Sequence, residues 1–156
     1  STVVGPLSSK KQFEKVCSYI KKGIDEGAEL ICGEVPKKEK KGYYVKPVIF
    51  TNVKAGMTIH DEEIFGPVLS IIKVKDKSEA INVANAVDYG LSSAVFGEEK
   101  EALEIAKEID AGECYVNTSG HGSNLPFGGY KQSGLGREGG IFGLLEYYQT
   151  KAIYKD

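Results

Sequence analysis

The spacing of hydrophobic residues along this 156-residue chain changes several times, and each change marks an element. Over residues 8–26 the apolar positions Phe13, Val16, Cys17, Ile20 and Ile24 recur every three or four residues, the period of an amphipathic helix, with Ser8 or Ser9 as N-cap and Gly27 as its stop. Residues 28–32 predict a short strand. Residues 43–53 are aromatic and β-branched and predict extended chain, with Pro47 placing it at a sheet edge or a bulge because proline has no N–H to donate. After a charged segment, residues 68–74 carry the strongest strand signal of the chain. Helical spacing returns through Ala80, Ile81, Ala84 and Val87, and residues 92–96 form another apolar strand. Residues 98–109 predict a helix with Leu103, Ala106 and Ile109 on one face, and after Gly112 comes a strand at 113–117.

Short apolar strands separated by helices of about ten residues are the pattern of βαβ crossovers. The expected fold class is therefore α/β, a mainly parallel sheet with helices on both faces. A glycine-rich loop follows at 118–136, then a helix from Arg137 to about Tyr147, and a final short strand at 150–154. The run Lys37-Lys38-Glu39-Lys40-Lys41 reads as a solvated turn rather than a phosphate site, because glutamate dilutes its charge and no aromatic residue interleaves with it.

Composition narrows the function. The length suits one domain or a large piece of one. Lysine plus arginine (20) nearly balance aspartate plus glutamate (22), so no whole-chain field favours nucleic acid. No apolar run approaches the roughly 20 residues needed to span a bilayer, so no membrane partner is expected. Cys17, Cys32 and Cys114 are widely spaced and odd in number, which argues against a disulfide framework or a structural zinc site and fits a reducing, cytoplasmic setting. The N-terminus has neither an initiator methionine nor signal-peptide regions and reads as a cut through a longer chain. Ten of the 19 glycines follow Ala111, so the tail is expected to hold loops of unusual geometry, and such loops often line sites.

Two segments carry candidate chemistry. In Asp61-Glu62-Glu63-Ile64-Phe65-Gly66-Pro67 a carboxylate stands beside a Gly-Pro turn, where it can accept hydrogen bonds from two neighbouring hydroxyls, as on a ribose. A phenylalanine two residues on faces the same side if the segment is extended. On chemistry alone, an exposed acidic turn with a core phenylalanine explains the same residues. The second segment is the polar loop Thr118-Ser119-Gly120-His121-Gly122-Ser123-Asn124-Leu125 leading to Phe127.

Glu62-Glu63-Ile64-Phe65-Gly66-Pro67 resembles the E-E-x-F-G-P motif of the NAD(P)-dependent aldehyde dehydrogenase superfamily, and Tyr89-Gly90-Leu91 with Val95-Phe96 resembles its Y-G-L-x-x-x-V-F segment. Ala111-Gly112 with Val116-Asn117 is a third match. Pro126-Phe127-Gly128-Gly129-Tyr130-Lys131-Gln132-Ser133-Gly134-Leu135-Gly136-Arg137-Glu138 is a fourth, and among the most specific. The resemblance covers nearly the whole chain and points to the C-terminal part of the catalytic domain. It implies that Glu63 hydrogen-bonds the nicotinamide ribose of NAD or NADP and that Phe65 packs near the nicotinamide ring. Phe127 would wall an aldehyde tunnel, and His121 and Ser123 would lie on the substrate loop. His121 reads equally as a surface histidine. The small polar loop favours a short hydroxyaldehyde or semialdehyde. Lys131 and Arg137 are expected mainly to fix backbone. Residues 1–148 would belong to the catalytic domain and 149–156 to the terminal strand of an oligomerisation sheet, joining the chain to copies of itself in a dimer or tetramer.

In that family an aldehyde is oxidised to the carboxylate through a cysteine thiohemiacetal and thioester, which needs a nucleophilic cysteine and a general-base glutamate. Neither lies in this chain: no cysteine stands in a Gly-Gln-x-Cys context. Cys17 and Cys32 read as packed small hydrophobes and Cys114 as a strand residue. The isolated chain is expected to be inactive and to need the missing N-terminal part of the same enzyme. Two other readings stand: a binding or assembly module that keeps the fold, and a thiol hydrolase built on Cys114 and His121. A metal site at His60, Asp61 and Glu63 would need ligands from elsewhere.

Overall fold

A computed structural model describes residues 3–37, 42–120, 122 and 124–156, so His121, Ser123 and most of the lysine run lie outside the described residues. The chain divides into two compact units, Ser1–Val74 and Lys75–Asp156.

The first unit is a helix packed on a three-stranded sheet. Helix α1 (Lys10–Asp25) starts where the Ser9 side chain accepts the Gln12 N–H at 3.2 Å. It ends at Gly27, whose φ of +93° lets Ala28 N–H reach back to Gly23 O (2.9 Å) while Gly27 N–H reaches Ile24 O. Its buried positions, Phe13, Val16, Ile20 and Gly23, face strands β1 (Glu29–Cys32) and β2 (Val48–Thr51), then helix α2 (Thr58–Asp61) and strand β3 (Val68–Ser70). The sheet order is β1-β2-β3, with β1 antiparallel to β2 and β3 parallel to it. Period-two alternation turns Val48 and Phe50 of β2 into a core completed by Val45, Val53, Ile59 and Ile64.

Two expectations change here. Pro47 stands directly before the central strand, not at an edge, because the ladder begins at Val48, whose N–H is donated to Pro67 O at 2.9 Å. Cys32 is exposed rather than packed: β1 is an edge strand with a bulge between Leu30 and Cys32, which breaks the alternation. The short α2, unmarked by hydrophobic spacing, is held from outside. Glu26 accepts both the Thr58 N–H (2.6 Å) and its hydroxyl (2.5 Å) at the helix start.

The second unit contains α3 (Lys77–Asn85), β4 (Tyr89–Gly90), β5 (Ser92–Val95), α4 (Glu99–Glu108), β6 (Glu113–Val116), β7 (Tyr130–Lys131) and α5 (Gly140–Leu145). β5, α4 and β6 make the expected parallel crossover, while β4 pairs antiparallel with β7. Asp76 caps α3 by accepting Glu79 N–H at 2.9 Å, and Glu98 caps α4 through Glu101 N–H at 2.9 Å. The face of α4 that packs is Ala102, with Ile105, Ala106 and Ile109 half-buried, whereas Leu103 is exposed. α5 is shorter than the predicted 137–147 helix, because Arg137 and Glu138 are drawn into loop contacts and Gly139 and Gly140 sit at positive φ. Residues 149–156 form no strand: an extended segment needs a neighbouring strand to pair its backbone, and Ile153 and Tyr154 stand exposed. Among the described residues no helix is long and apolar enough to cross a membrane.

Candidate functional site

The loop between α2 and β3 is built against the polar flank of α1. Lys15 Nζ donates to Glu63 O at 2.8 Å, and Gln12 Nε2 donates to Ile64 O at 3.0 Å and to Phe65 O at 2.8 Å. The Tyr19 hydroxyl donates to the Glu62 carboxylate, and that bond holds the phenol above its ordinary pKa. Gly66 lies so close to α1 that a Cβ there would stand 2.6 Å from Val16 Cγ2, so its role is close approach. Positions 12, 15, 16 and 19 are one helical stripe, i, i+3, i+4 and i+7, and all four meet this loop.

The result is a fixed backbone presenting two side chains to solvent. Ile64 is buried, while Glu63 is exposed and Phe65 is 71% exposed. The segment is not extended as the same-side argument required, because Phe65 has φ +57°, a conformation that costs an L-residue roughly 1–2 kcal/mol. Backbone strain of this kind concentrates at binding and catalytic sites. Glu62, its carboxylate engaged by Tyr19, is the structural member of the acidic pair. His60 pairs through Nδ1 with Asp61 at 2.5 Å, and no group of three or more potential metal ligands occurs among the described residues.

In the second unit Phe127 is pinned by two backbone bonds to Glu138, each 2.7 Å, and its side chain is part-exposed beside a shallow pocket of about 310 Å³ with Leu91, Leu135 and Arg137. The motif around it is a set of stitches. Lys131 Nζ donates to the C-terminal carbonyl of α3, Asn85 O, at 2.8 Å and to Val87 O at 3.2 Å, with Asp110 at 3.6 Å. Ser133 Oγ accepts Gly90 N–H at 2.9 Å. Arg137 donates to Gly129 O and Gly136 O and stacks over the Tyr130 ring, 5.4 Å from its centroid. A Cβ at Gly112 would stand 1.6 Å from Gly128 O, so two backbone segments meet there directly. Both cations thus serve backbone carbonyls. Upstream, Asn117 ends β6 at φ +53° with its amide bonded both ways to Gly97, accepting its N–H (2.9 Å) and donating to its carbonyl (3.0 Å).

The cysteines occupy unrelated places. Cys17 is half-buried on α1, where burial raises its thiol pKa, and Cys114 is half-buried in β6 opposite Ser93. The sequence marks Glu63, Phe65 and Phe127 as site residues and Asn117 only as part of a motif, and it gives no role to Gln12, Lys15 or Tyr19. The signal for the helix residues was their place beside the apolar stripe of 13, 16 and 20.

The aldehyde dehydrogenase family model matches residues 1–153. A protein of Staphylococcus saprophyticus, provisionally named an aldehyde dehydrogenase, is 52% identical over 155 residues, which are 97% of this chain and 33% of the relative. Among solved structures, aldehyde dehydrogenase C of Pseudomonas syringae, a mutant complexed with NAD+ and octanal, superposes with a TM-score of 0.92 at 43% identity, over 97% of this chain and 32% of that one. The aldehyde dehydrogenase of Mycobacterium tuberculosis complexed with NAD+ gives 0.87 at 42% identity, over 94% and 31%. The chain spans about a third of the length of the relatives it matches.

Proposed function

The chain belongs to the aldehyde dehydrogenase family, and from that premise we propose that it is the C-terminal part of the catalytic domain of an enzyme oxidising an aldehyde to the carboxylate with NAD or NADP. The observation that carries this reading is the pair of exposed side chains, Glu63 and Phe65, on a backbone immobilised by α1. The donor set fits the cofactor: a free-standing carboxylate accepts from vicinal ribose hydroxyls, and an exposed aromatic face covers a flat ring. The cofactor supplies the two-electron acceptor for the aldehyde's hydride. Glu63 would hold the ribose and Phe65 would pack beside the nicotinamide ring. The NAD+ in the two related structures supports NAD as the partner.

Phe127 serves as one wall of the aldehyde tunnel, excluding water from the reacting carbonyl. His121 and Ser123 remain assigned to substrate contact, and the polar character of 118–124 favours a short hydroxyaldehyde or semialdehyde. The nucleophilic cysteine and the general-base glutamate are supplied by a part of the enzyme outside these residues. Residues 1–148 act as catalytic-domain sequence, and 149–156 pair with another copy in a dimer or tetramer, a reading supported by their unpaired state. Three free cysteines support a cytoplasmic setting.

The test compares the purified chain with the complete enzyme across hydroxyaldehydes, semialdehydes and aliphatic aldehydes, following formation of reduced cofactor. The expected result is no turnover by the chain and turnover by the enzyme, with Glu63→Gln raising KM for NAD+ roughly tenfold, the loss of about one charge-assisted hydrogen bond. Turnover by the chain, or an unchanged KM, overturns the respective assignment.

A further inference from the structure

We propose that Gln12 is a positioning residue that holds Phe65 in its left-handed conformation, and so sets the aromatic half of the cofactor surface from a helix 53 residues away in sequence. The inference rests on the reading of Glu63 and Phe65 as cofactor residues.

In extended chain, successive carbonyls point to opposite sides. In a helical conformation of either hand they turn to the same side, and at φ +57° Phe65 brings Ile64 O and Phe65 O within reach of one NH2 group, at 3.0 and 2.8 Å. The amide of Gln12 carries two N–H donors on a single nitrogen and spends both on these acceptors. The paired bonds are therefore lost when Phe65 is extended, which makes Gln12 a ligand for the turned state seen here and not for the extended one. A group shifts an equilibrium by its differential affinity for the two states, and here the paired contact favours the turned backbone over the extended one.

The shift is needed. Left to itself an L-residue disfavours this region by roughly 5–30-fold, and a phenylalanine that is 71% exposed gains little from its surroundings to offset that. Asparagine, which tolerates the conformation, occupies two of the other three non-glycine positive-φ positions, Asn52 and Asn117, whereas Phe65 has no such aptitude. The remaining contacts of α1 fix the flanks: Lys15 holds Glu63 O, Tyr19 holds Glu62 and Val16 abuts Gly66. Gln12 alone among them bonds the two carbonyls on either side of the Phe65 torsions. Its half-buried stem keeps the amide from wandering to solvent.

Two variants separate the donor from the packing. Gln12→Met keeps the stem and removes both N–H groups, and Gln12→Glu is nearly isosteric but presents acceptors to acceptors. In the full chain, the Cα and Cβ chemical shifts of Phe65 report the sign of φ. Both variants are expected to lower the left-handed share of Phe65 about tenfold while the amide spectrum of β1 to β3 stays in place. In the complete enzyme the same variants raise the dissociation constant of NAD+ by about the same factor, since apparent affinity scales with the competent fraction, and leave kcat within about twofold. A Phe65 that keeps its left-handed shifts in both variants overturns the positioning role whatever NAD+ does. Shifts that move while NAD+ binding is indifferent to Gln12, Glu63→Gln and Phe65→Ala alike sustain the positioning role and overturn the cofactor reading beneath it.

Discussion

The two compact units of this chain are of similar length and hold themselves together differently. The first closes ten hydrophobic side chains from solvent, with Val16, Ile20 and Phe50 fully buried. In the second, Ala102 is the one buried hydrophobic residue among those described, while Leu135 is wholly exposed and α5 leaves Ile141, Phe142, Leu144 and Leu145 largely open. Order in the second unit comes from backbone stitching: the Gly112 contact, the Asn117 and Gly97 exchange, the Lys131 and Arg137 donations and the Phe127 bridge. A buried large side chain contributes about 1.5–3 kcal/mol, whereas a typical hydrogen bond nets about 0.5–1.5 kcal/mol. One unit is stabilised by what it hides, the other by geometry it has paired.

The sharpest way to break this contrast is to cut the first core. Phe50→Ala is expected to destabilise the first unit by about 3–5 kcal/mol in urea unfolding, while Leu135→Ala, on an open surface, stays within about 0.5 kcal/mol. Equal losses would mean that the second unit has a core after all. Next in size, Gly112→Ala drives a methyl into Gly128 O and is expected to cost about 2–3 kcal/mol, read as faster amide exchange in β5 and β6 with α1 unchanged. The smallest effect belongs to the cap of α4. The backbone N–H groups of Glu101 and Lys100 hold the Glu98 carboxyl below the usual glutamate range. A lowered folded-state pKa contributes stability above the unfolded value and loses it as pH falls through the folded one. An NMR titration is therefore expected to show the first turn of α4 loosening only at pH below the ordinary glutamate midpoint, with the rest of the helix unaffected.

Legibility from sequence followed the same division. α1 lay within a residue or two of its predicted span because its period, cap and stop all belong to the local chain. α2, β4 and β7 left no pattern: one turn of helix is held by Glu26 from another element, and the two-residue strands rest on their pairing with each other and on the Ser133 and Lys131 bonds. Pro47 misled because its missing N–H falls just outside the ladder, a matter of register. At the site, residue types were readable and conformation was not. Glu63 and Phe65 were marked by their motif, but nothing in the letters places a phenylalanine at φ +57°, since that depends on Gln12 reaching across from α1.

The segment between Asn117 and Phe127 is clamped at both ends, by an amide exchange with Gly97 and by a paired bridge to Glu138. For a loop anchored in that way, changes of length are thermodynamically cheap, about 0.6 kcal/mol for each doubling. Replacements within 118–126 can therefore accumulate without disturbing the anchors. Sequence change there meets an editable insert bounded by two fixed seams.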